Sequence, residues 1–420
     1  MVKENVIQVF EHSFLPIEGK FEERHFVALS KLNALHNYQY FDLKHNGVVF
    51  KQFVGVIQVD GLNIEILPKI DKYESETVEN KKKWQGALIE MLRVTRKLKV
   101  QQVGEADVSK QSIHLLDIYF EWFLSEVQLL LHQGLIKQYY KETSNVKALK
   151  GKLEFSGHLQ KNLVHKERFY TTHQVYGKDH LIHQVLHTAL AIVAQCTKGN
   201  YLYSKCKSVQ LEFPEVTPSV INETTFTRLP KNRKTAPYTT ALAIARLIIL
   251  NYAPNISKGN ERMLALLFDM NALWEEYLLV RLKEVAPEGV TIKGQESKPF
   301  WKSISIRPDI VIEKKESEIK TTFIIDTKWK NIDYSDPSTQ DLRQMYVYNE
   351  YWKSRKAMLL YPSRTTSFSQ DAFIAYQPID QNDAPHQCAL GKLSIFKDDT
   401  SILDANIGET ILKWFKLLDT

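Results

Sequence analysis

Two short runs of the sequence place ionisable side chains where they can act together. The first is Arg307-Pro308-Asp309-Ile310-Val311-Ile312-Glu313, and the second is Thr322-Phe323-Ile324-Ile325-Asp326-Thr327-Lys328-Trp329-Lys330. Both are β-rich, and the charged stretch from Lys314 to Lys320 between them reads as a polar connection centred near Ser317. Folded back as a hairpin, they bring Asp309 opposite about Ile325, beside Asp326. Side chains alternate along a strand, so Asp326 and Lys328 share a face while Thr327 points away and leaves its carbonyl free to face whatever the carboxylates hold. Two carboxylates and a carbonyl make a hard oxygen site. Such a site suits Mg²⁺, which keeps several waters and takes one or two protein carboxylates beside substrate phosphate oxygens. A lysine there can orient the attacking water and offset phosphate charge. The chemistry predicted is hydrolysis of a phosphodiester, with Asp309, Asp326 and Thr327 at the metal and Lys328 at the water.

An Asp two residues before a Lys is also common as a salt bridge on an edge strand. The surroundings here argue for more than that. Asp326 directly follows the apolar Phe323 to Ile325, where a strand leaves a core, and Asp309 follows a proline at the start of the preceding strand. Half-buried carboxylates in such places need a compensating partner.

The elements around the hairpin supply further groups. In Met270-Asn271-Ala272-Leu273-Trp274-Glu275-Glu276, helical spacing sets Glu275 on one face with Leu278, Leu279 and Leu282, and Glu276 toward Lys283. Glu275 is therefore the inward carboxylate. Asp336-Pro337 reads as the N-cap and first turn of a helix on which Gln344 and Tyr348 line one face. Read alone, Gln344 is a surface amide and Tyr348 a core aromatic.

Beyond Gly259 the spacing predicts a helix over about 262–285, strands over 303–313 and 321–329, a helix over 337–353, and strands near 357–361, 372–377 and 392–396. This is a mixed sheet flanked by helices. From Val6 to Ile70 the apolar residues alternate or form short runs, with Asp60-Gly61 between two of them as a hairpin signal. The polar stretch 71–83 then leads to helical spacing over 84–98, 113–135 (closed by Gly134), 178–197 and 239–251. The fold expected is α+β and multidomain: a β-rich N-terminal domain over 1–104, a mainly helical middle over 105–259, and a C-terminal α/β domain over 260–420.

These residues together resemble the PD-(D/E)xK nuclease core: Pro308-Asp309, Asp326-Thr327-Lys328, an upstream helical Glu275, and Gln344 four residues before Tyr348. More narrowly, most of the chain is similar to McrC-like endonuclease subunits of the McrBC modification-dependent restriction systems. The similar blocks are 268–275, 325–330 and 341–346, Gly55-Val56-Ile57 with Ile64 to Ile70, and Leu149 to Leu153 followed by Tyr176 to His180. The resemblance implies a subunit that cuts double-stranded DNA only with a McrB-like hexameric AAA+ GTPase. That partner binds GTP, and the N-terminal part of the McrC-like subunit stimulates its hydrolysis. The resemblance further implies Asp309 and Asp326 as metal ligands, Lys328 as the group at the water, and Glu275 and Gln344 in support. In keeping with a dependent subunit, the sequence holds no G-x-x-x-x-G-K-[ST] phosphate loop.

Composition fits a folded protein of this size. The 420 residues are 44% hydrophobic and 25% charged, which excludes disorder over most of the length. The net charge of +6 is compatible with a polyanion partner, so the location of the charge must decide. Arg228, Lys231, Arg233 and Lys234 form a basic run with no acid, and Lys150 and Lys152 belong to a second basic stretch over 147–168. Both are candidates for phosphate contacts, although a basic run is commonly just a solvated face. His165, His173, His180, His183 and His187 have no metal-ligand spacing and read as polar or packed histidines. Three scattered cysteines, Cys196, Cys206 and Cys388, predict free thiols, and no apolar run is long enough to span a membrane. Lys3, Glu4 and Asn5 interrupt any secretory leader, so the expected location is the cytoplasm. Two rival readings remain: a nuclease-fold adaptor that only activates a GTPase, against which the intact Asp309, Asp326 and Lys328 argue, and a nuclease subunit serving another motor in phage defence.

Overall fold

Asp60 and Gly61 turn the chain as their sequence predicts. Both take positive φ, 45° and 81°, and they join the neighbouring strands Phe53–Val59 and Leu62–Leu67. The computed structural model describes residues 5–35, 39–71, 75–97, 114–254, 262–316, 319–330, 336–374, 385–397 and 400–418. The chain is a mixed α and β protein in two compact units. One comprises Met1–Glu4, Gln58–Gly61 and Val100–Leu266, and the other Asn5–Ile57, Leu62–Lys99 and Leu267–Thr420. This grouping differs from the three-part division expected from composition, because most of the first hundred residues join the same unit as the C-terminal residues. The expected boundaries at Gly104 and Gly259, and the hairpin centre at Ser317, lie outside the described residues.

The unit that holds the C-terminal residues is organised by a six-stranded sheet in the order Val290–Gly294, Ile310–Glu316, Ile319–Thr327, Lys356–Ser363, Gln387–Ser394, Ser367–Ala372. The strands Ile319–Thr327, Lys356–Ser363 and Gln387–Ser394 run parallel, and the flanking pairs are antiparallel. Helix Thr339–Trp352 covers one face, where Met345, Tyr348 and Trp352 pack on Val311, Ile324, Leu359 and Tyr361. Helix Met270–Glu284 lies over Gly294, where a Cβ would come within 2.4 Å of the Leu279 side chain. The N-terminal residues of this unit add the strand Val6–Phe10, parallel to Leu62–Leu67, and a three-stranded sheet of Phe14–Pro16, Gly47–Phe50 and Phe41–Lys44. Two helices, Glu23–Leu35 and Val78–Val94, lie among them in the chain.

Two boundaries differ from expectation. The segment predicted as helix from 262 is the strand Arg262–Asp269, and the helix starts at Met270, where the Asp269 carboxylate accepts from the Asn271 and Ala272 amides. A short apolar run such as Met263 to Leu267 is compatible with a buried strand or a buried helix, so periodicity could not separate them. The helix expected to be capped by Asp336-Pro337 is capped by Ser338, whose Oγ accepts from the Asp341 amide at 3.1 Å. Asp336 and Pro337 precede it outside regular structure. The strand expected near 372–377 runs over Ser367–Ala372, and 375–377 lie outside the described residues.

The other unit has the helical core expected of the middle region, with buried faces on Leu115–Gln133, Leu181–Cys196, Leu202–Glu212 and Thr239–Leu250. Gly134, at φ 86°, ends the first of these. Absent from the expected elements is an antiparallel pair of nine-residue strands, Gln138–Val146 with Phe169–Gly177, extended by Lys152–Leu153. Its first strand alternates between exposed and half-buried residues without an apolar core face, so it carries little hydrophobic signal. His183 is fully buried against Tyr238 and Phe213, and burial pushes its pKa down to about 4, as befits a packed histidine. The three cysteines are free thiols. Among the described residues, no helix is long and apolar enough to cross a membrane.

One buried carboxylate ties the start of the chain to the strand end that carries Lys328. Glu11 is 0% exposed, and its Oε1 accepts from Trp329 Nε1 at 2.7 Å and the Lys69 amide at 3.0 Å. Burial pushes its carboxyl up to about 7, with the Lys69 and Trp329 hydrogen bonds opposing the rise. A carboxyl raised in the folded state stabilises fully below its unfolded pKa, and that contribution is lost as pH rises through about 7. The difference is of order 3 kcal/mol by pH 8. Glu11→Gln keeps an acceptor for both donors, so it should leave stability near pH 4 almost unchanged and raise it at pH 8. Urea denaturation at the two pH values checks this, and an equal effect at both would show that Glu11 is not the titrating group.

Candidate active site

The antiparallel register pairs Ile310 with Ile325, and continuing it by one residue sets Asp309 opposite Asp326. Asp326 stands near the end of its strand, 2% exposed, in the parallel pairing with Lys356–Ser363. Lys328 lies just past the strand end, and its amide still donates to the Leu360 carbonyl at 2.9 Å. Lys328 Nζ sits 2.6 Å from Asp326 Oδ2 and 3.9 Å from Asp341 Oδ1. On the other oxygen, Asp326 Oδ1 accepts from Gln344 Nε2 at 3.3 Å. Gln344 also donates to the Tyr348 hydroxyl at 2.7 Å, and that hydroxyl donates to the Arg307 carbonyl at 2.9 Å. The Gln344 and Tyr348 face read from the sequence therefore reaches the strand end as one hydrogen-bonded arm.

Thr327 differs from expectation. Its amide and its hydroxyl both donate to Asp309 Oδ2, at 2.6 and 2.9 Å, so its side chain serves the first aspartate and does not simply point away. A strand end has lost its regular ladder partners, which leaves the amide free to bond a neighbouring carboxylate. Glu275 accepts from Gln295 Nε2 at 2.8 Å and feels the charges of Asp309 and Asp326, whereas Glu276 pairs with Lys97 at 2.6 Å and not with Lys283. Asp341 was missed by the sequence reading. It holds Lys330 at 2.9 Å and stands near Lys328, and its Ser338-x-x-Asp341 capping spacing was the available signal.

The electrostatics describe a site with surplus negative charge. Burial, then the charge of Asp309, pushes the Asp326 carboxyl up to about 6 against the pull of Lys328. Asp309 is raised by burial despite the two Thr327 donors. Glu275 is pushed up to about 7, by burial first and Asp309 second. Burial alone would lower Lys328, but Asp326, Asp341 and Asp309 carry its pKa above the ordinary lysine value. Three carboxyls that resist ionisation together are what a divalent cation would relieve, and the oxygen donors are of the hard type Mg²⁺ prefers. The residues thus fit that ion. Among the described residues no three Cys, His, Asp or Glu side chains form a group that could hold a metal ion.

The basic residues singled out in the sequence lie in the other compact unit. Arg228, exposed, caps the C-terminus of the short helix Glu223–Thr227, and Lys231, Arg233 and Lys234 are exposed around a turn that Asn232 holds, its Oδ1 accepting from the Lys234 and Thr235 amides at 3.0 and 3.1 Å. Lys150 and Lys152 are exposed on either side of Gly151, with Lys152 3.7 Å from Glu154.

A family profile described as the McrBC 5-methylcytosine restriction system component matches residues 48–362. No curated protein matches the chain. The fold is similar to a chain of the refined half-complex from the tetradecameric assembly of Thermococcus gammatolerans McrB AAA+ hexamers with bound McrC. The TM-score is 0.66 at 18% identity, covering 97% of this chain and 100% of that one. A chain of the Thermococcus gammatolerans McrBC complex solved by cryo-electron microscopy also matches, with TM-score 0.47 and 18% identity over 66% of this chain and 87% of that one.

Proposed function

The chain belongs to the McrBC 5-methylcytosine restriction system component family, and from that premise we propose that it is a Mg²⁺-dependent endonuclease subunit with a PD-(D/E)xK-type core, hydrolysing DNA phosphodiester bonds. The observation that carries this reading is the convergence of Asp309, Asp326 and Lys328 at one strand end, with Lys328 2.6 Å from Asp326. Asp309, Asp326 and the Thr327 carbonyl would hold the ion. When bound, Mg²⁺ supplies Lewis-acid stabilisation of charge developing on the phosphate. Lys328 orients the attacking water and offsets phosphate charge. Gln344 holds Asp326 in place through Oδ1, and Thr327 does the same for Asp309. Glu275, with its carboxyl near 7, gives a released proton a place to rest at neutral pH.

The Thermococcus assembly contains McrB AAA+ hexamers with bound McrC. We infer that this chain takes the McrC place on a McrB-like hexameric GTPase in the cytoplasm, the GTP being bound by that partner. Residues 1–104 are assigned to docking and to stimulating GTP hydrolysis, 105–259 to the middle region and 260–420 to cutting. Arg228, Lys231, Arg233, Lys234, Lys150 and Lys152 contact DNA phosphates. Because most of the first hundred residues pack in the same unit as the cutting site, the test uses the full chain. Mixed with its GTPase, GTP and Mg²⁺, the protein should cleave modified plasmid and spare unmodified plasmid, and omission of any one component should stop cleavage. Efficient cutting without the GTPase would show a self-sufficient nuclease, and no cutting under any condition would sink the nuclease reading.

A further inference from the structure

Beside the carboxylate pair lies a cleft of about 800 Å³. One wall is a small hairpin, Lys298–Trp301 with Ile304–Ile306, and the other is the outer part of helix Thr339–Trp352. Phe300, Ser305 and Arg307 line it from the first wall, and Arg343, Gln344 and Tyr348 from the second. Two lining residues are cationic and none is acidic. Gln344 belongs both to the cleft and to the site, since its Nε2 reaches Asp326 Oδ1.

The walls are built for something large and anionic. Arg307 and Arg343 are exposed, as is Phe300 at 46%. The hairpin also exposes Trp301 at 58% and Ile304 at 52%, with Lys302 Nζ 4.5 Å from the Trp301 ring. A small enclosed ligand would bury such groups, whereas a polymer lying along the surface uses them as they stand. Guanidinium groups bind phosphates bidentately, and an exposed aromatic ring offers a face on which a base or sugar packs.

We propose that this cleft holds the DNA strand flanking the bond to be cut, with Arg307 and Arg343 on its phosphates and Phe300 against a base or sugar. The assignment rests on the nuclease reading and gives that site its substrate path. It places DNA contacts beside the reacting carboxylates, in addition to the basic turns of the other unit.

The test measures binding of a fluorescein-labelled 20-base-pair duplex by anisotropy, in the cleavage-deficient Asp326→Ala background of the full chain, over a range of salt concentrations. Arg307→Ala with Arg343→Ala should weaken binding by roughly ten-fold or more and reduce the slope of log affinity against log salt by about 2, one for each phosphate contact. The corresponding double Lys variant should keep most of that slope, because it keeps the charge. Phe300→Ala should weaken a single-stranded 20-mer by about five-fold or more, through lost stacking. Both arginines are exposed, and Tyr348 bonds only the Arg307 main chain, which alanine preserves. Unchanged affinity and slope in the double Ala variant would overturn the proposal, as would equal weakening of polyglutamate binding, which would mark a general anion surface. The two readings separate cleanly. Cleavage is read separately with Asp326 intact: a chain that binds as described yet never cuts loses only its nuclease assignment, whereas one that cuts at the parental rate with both arginines replaced loses only the cleft.

Discussion

Asp326→Ala, in the presence of the GTPase, GTP and Mg²⁺, should lose DNA cleavage by about 10³-fold or more. That corresponds to several kcal/mol of transition-state stabilisation, as expected of a ligand in the metal site proposed for Asp309 and Asp326. The fold should tolerate the change. Asp326 is already forced to about 6 by burial and by Asp309, so its removal relieves repulsion within the apo protein. Lys328 keeps Asp341 at 3.9 Å as a counter-charge. Partner association and partner GTP turnover should therefore match the parent. Retained cleavage at the parental rate would remove Asp326 from the metal site, and simultaneous loss of cleavage and partner binding would point to a structural role.

Lys328→Ala should lower the cleavage rate by about 10² to 10⁴-fold, the range associated with a positioned group at a proton-transfer step. Its effect on Mg²⁺ binding should be far smaller, because a lysine repels the ion and is not a ligand. Calorimetric titration of Mg²⁺ into the full-length variant, alongside single-turnover cleavage, separates the two roles. Parallel loss of ion affinity and rate would reduce Lys328 to a salt bridge that shapes Asp326, which the 2.6 Å contact alone would also allow.

The hairpin that carries Asp309 and Asp326 was legible because its information is local. Alternation along two adjacent strands and the short connection between them bring Asp309 and Asp326 together, within one residue of the register observed. Helical spacing likewise separates Glu275, which accepts from Gln295, from Glu276, which pairs with Lys97. The role of the Thr327 side chain was not, because it depends on which neighbour reaches the strand end. The Ser338 cap was hidden behind the more conspicuous Asp336-Pro337 pair. The strand Arg262–Asp269 was hidden because an apolar run contains no period that separates a buried strand from a buried helix.

Local spacing sets out the chemical groups this protein can bring to bear: two aspartates and a lysine at hairpin spacing, a helical glutamate, and a glutamine and tyrosine four residues apart. Those relations follow from backbone geometry repeated over a few residues. Which groups from distant segments meet depends on how the chain packs in three dimensions. Glu11 reaches Trp329 across 318 residues, most of the first hundred residues join the unit that holds Asp326 and Lys328, and Phe300 with Arg307 faces Arg343 across a cleft. Such meetings follow from the burial of apolar faces such as those of Trp84, Trp274 and Trp329 against one another. The hydrophobic effect that drives this burial is non-directional, so the order of residues along the chain does not state which faces will pair.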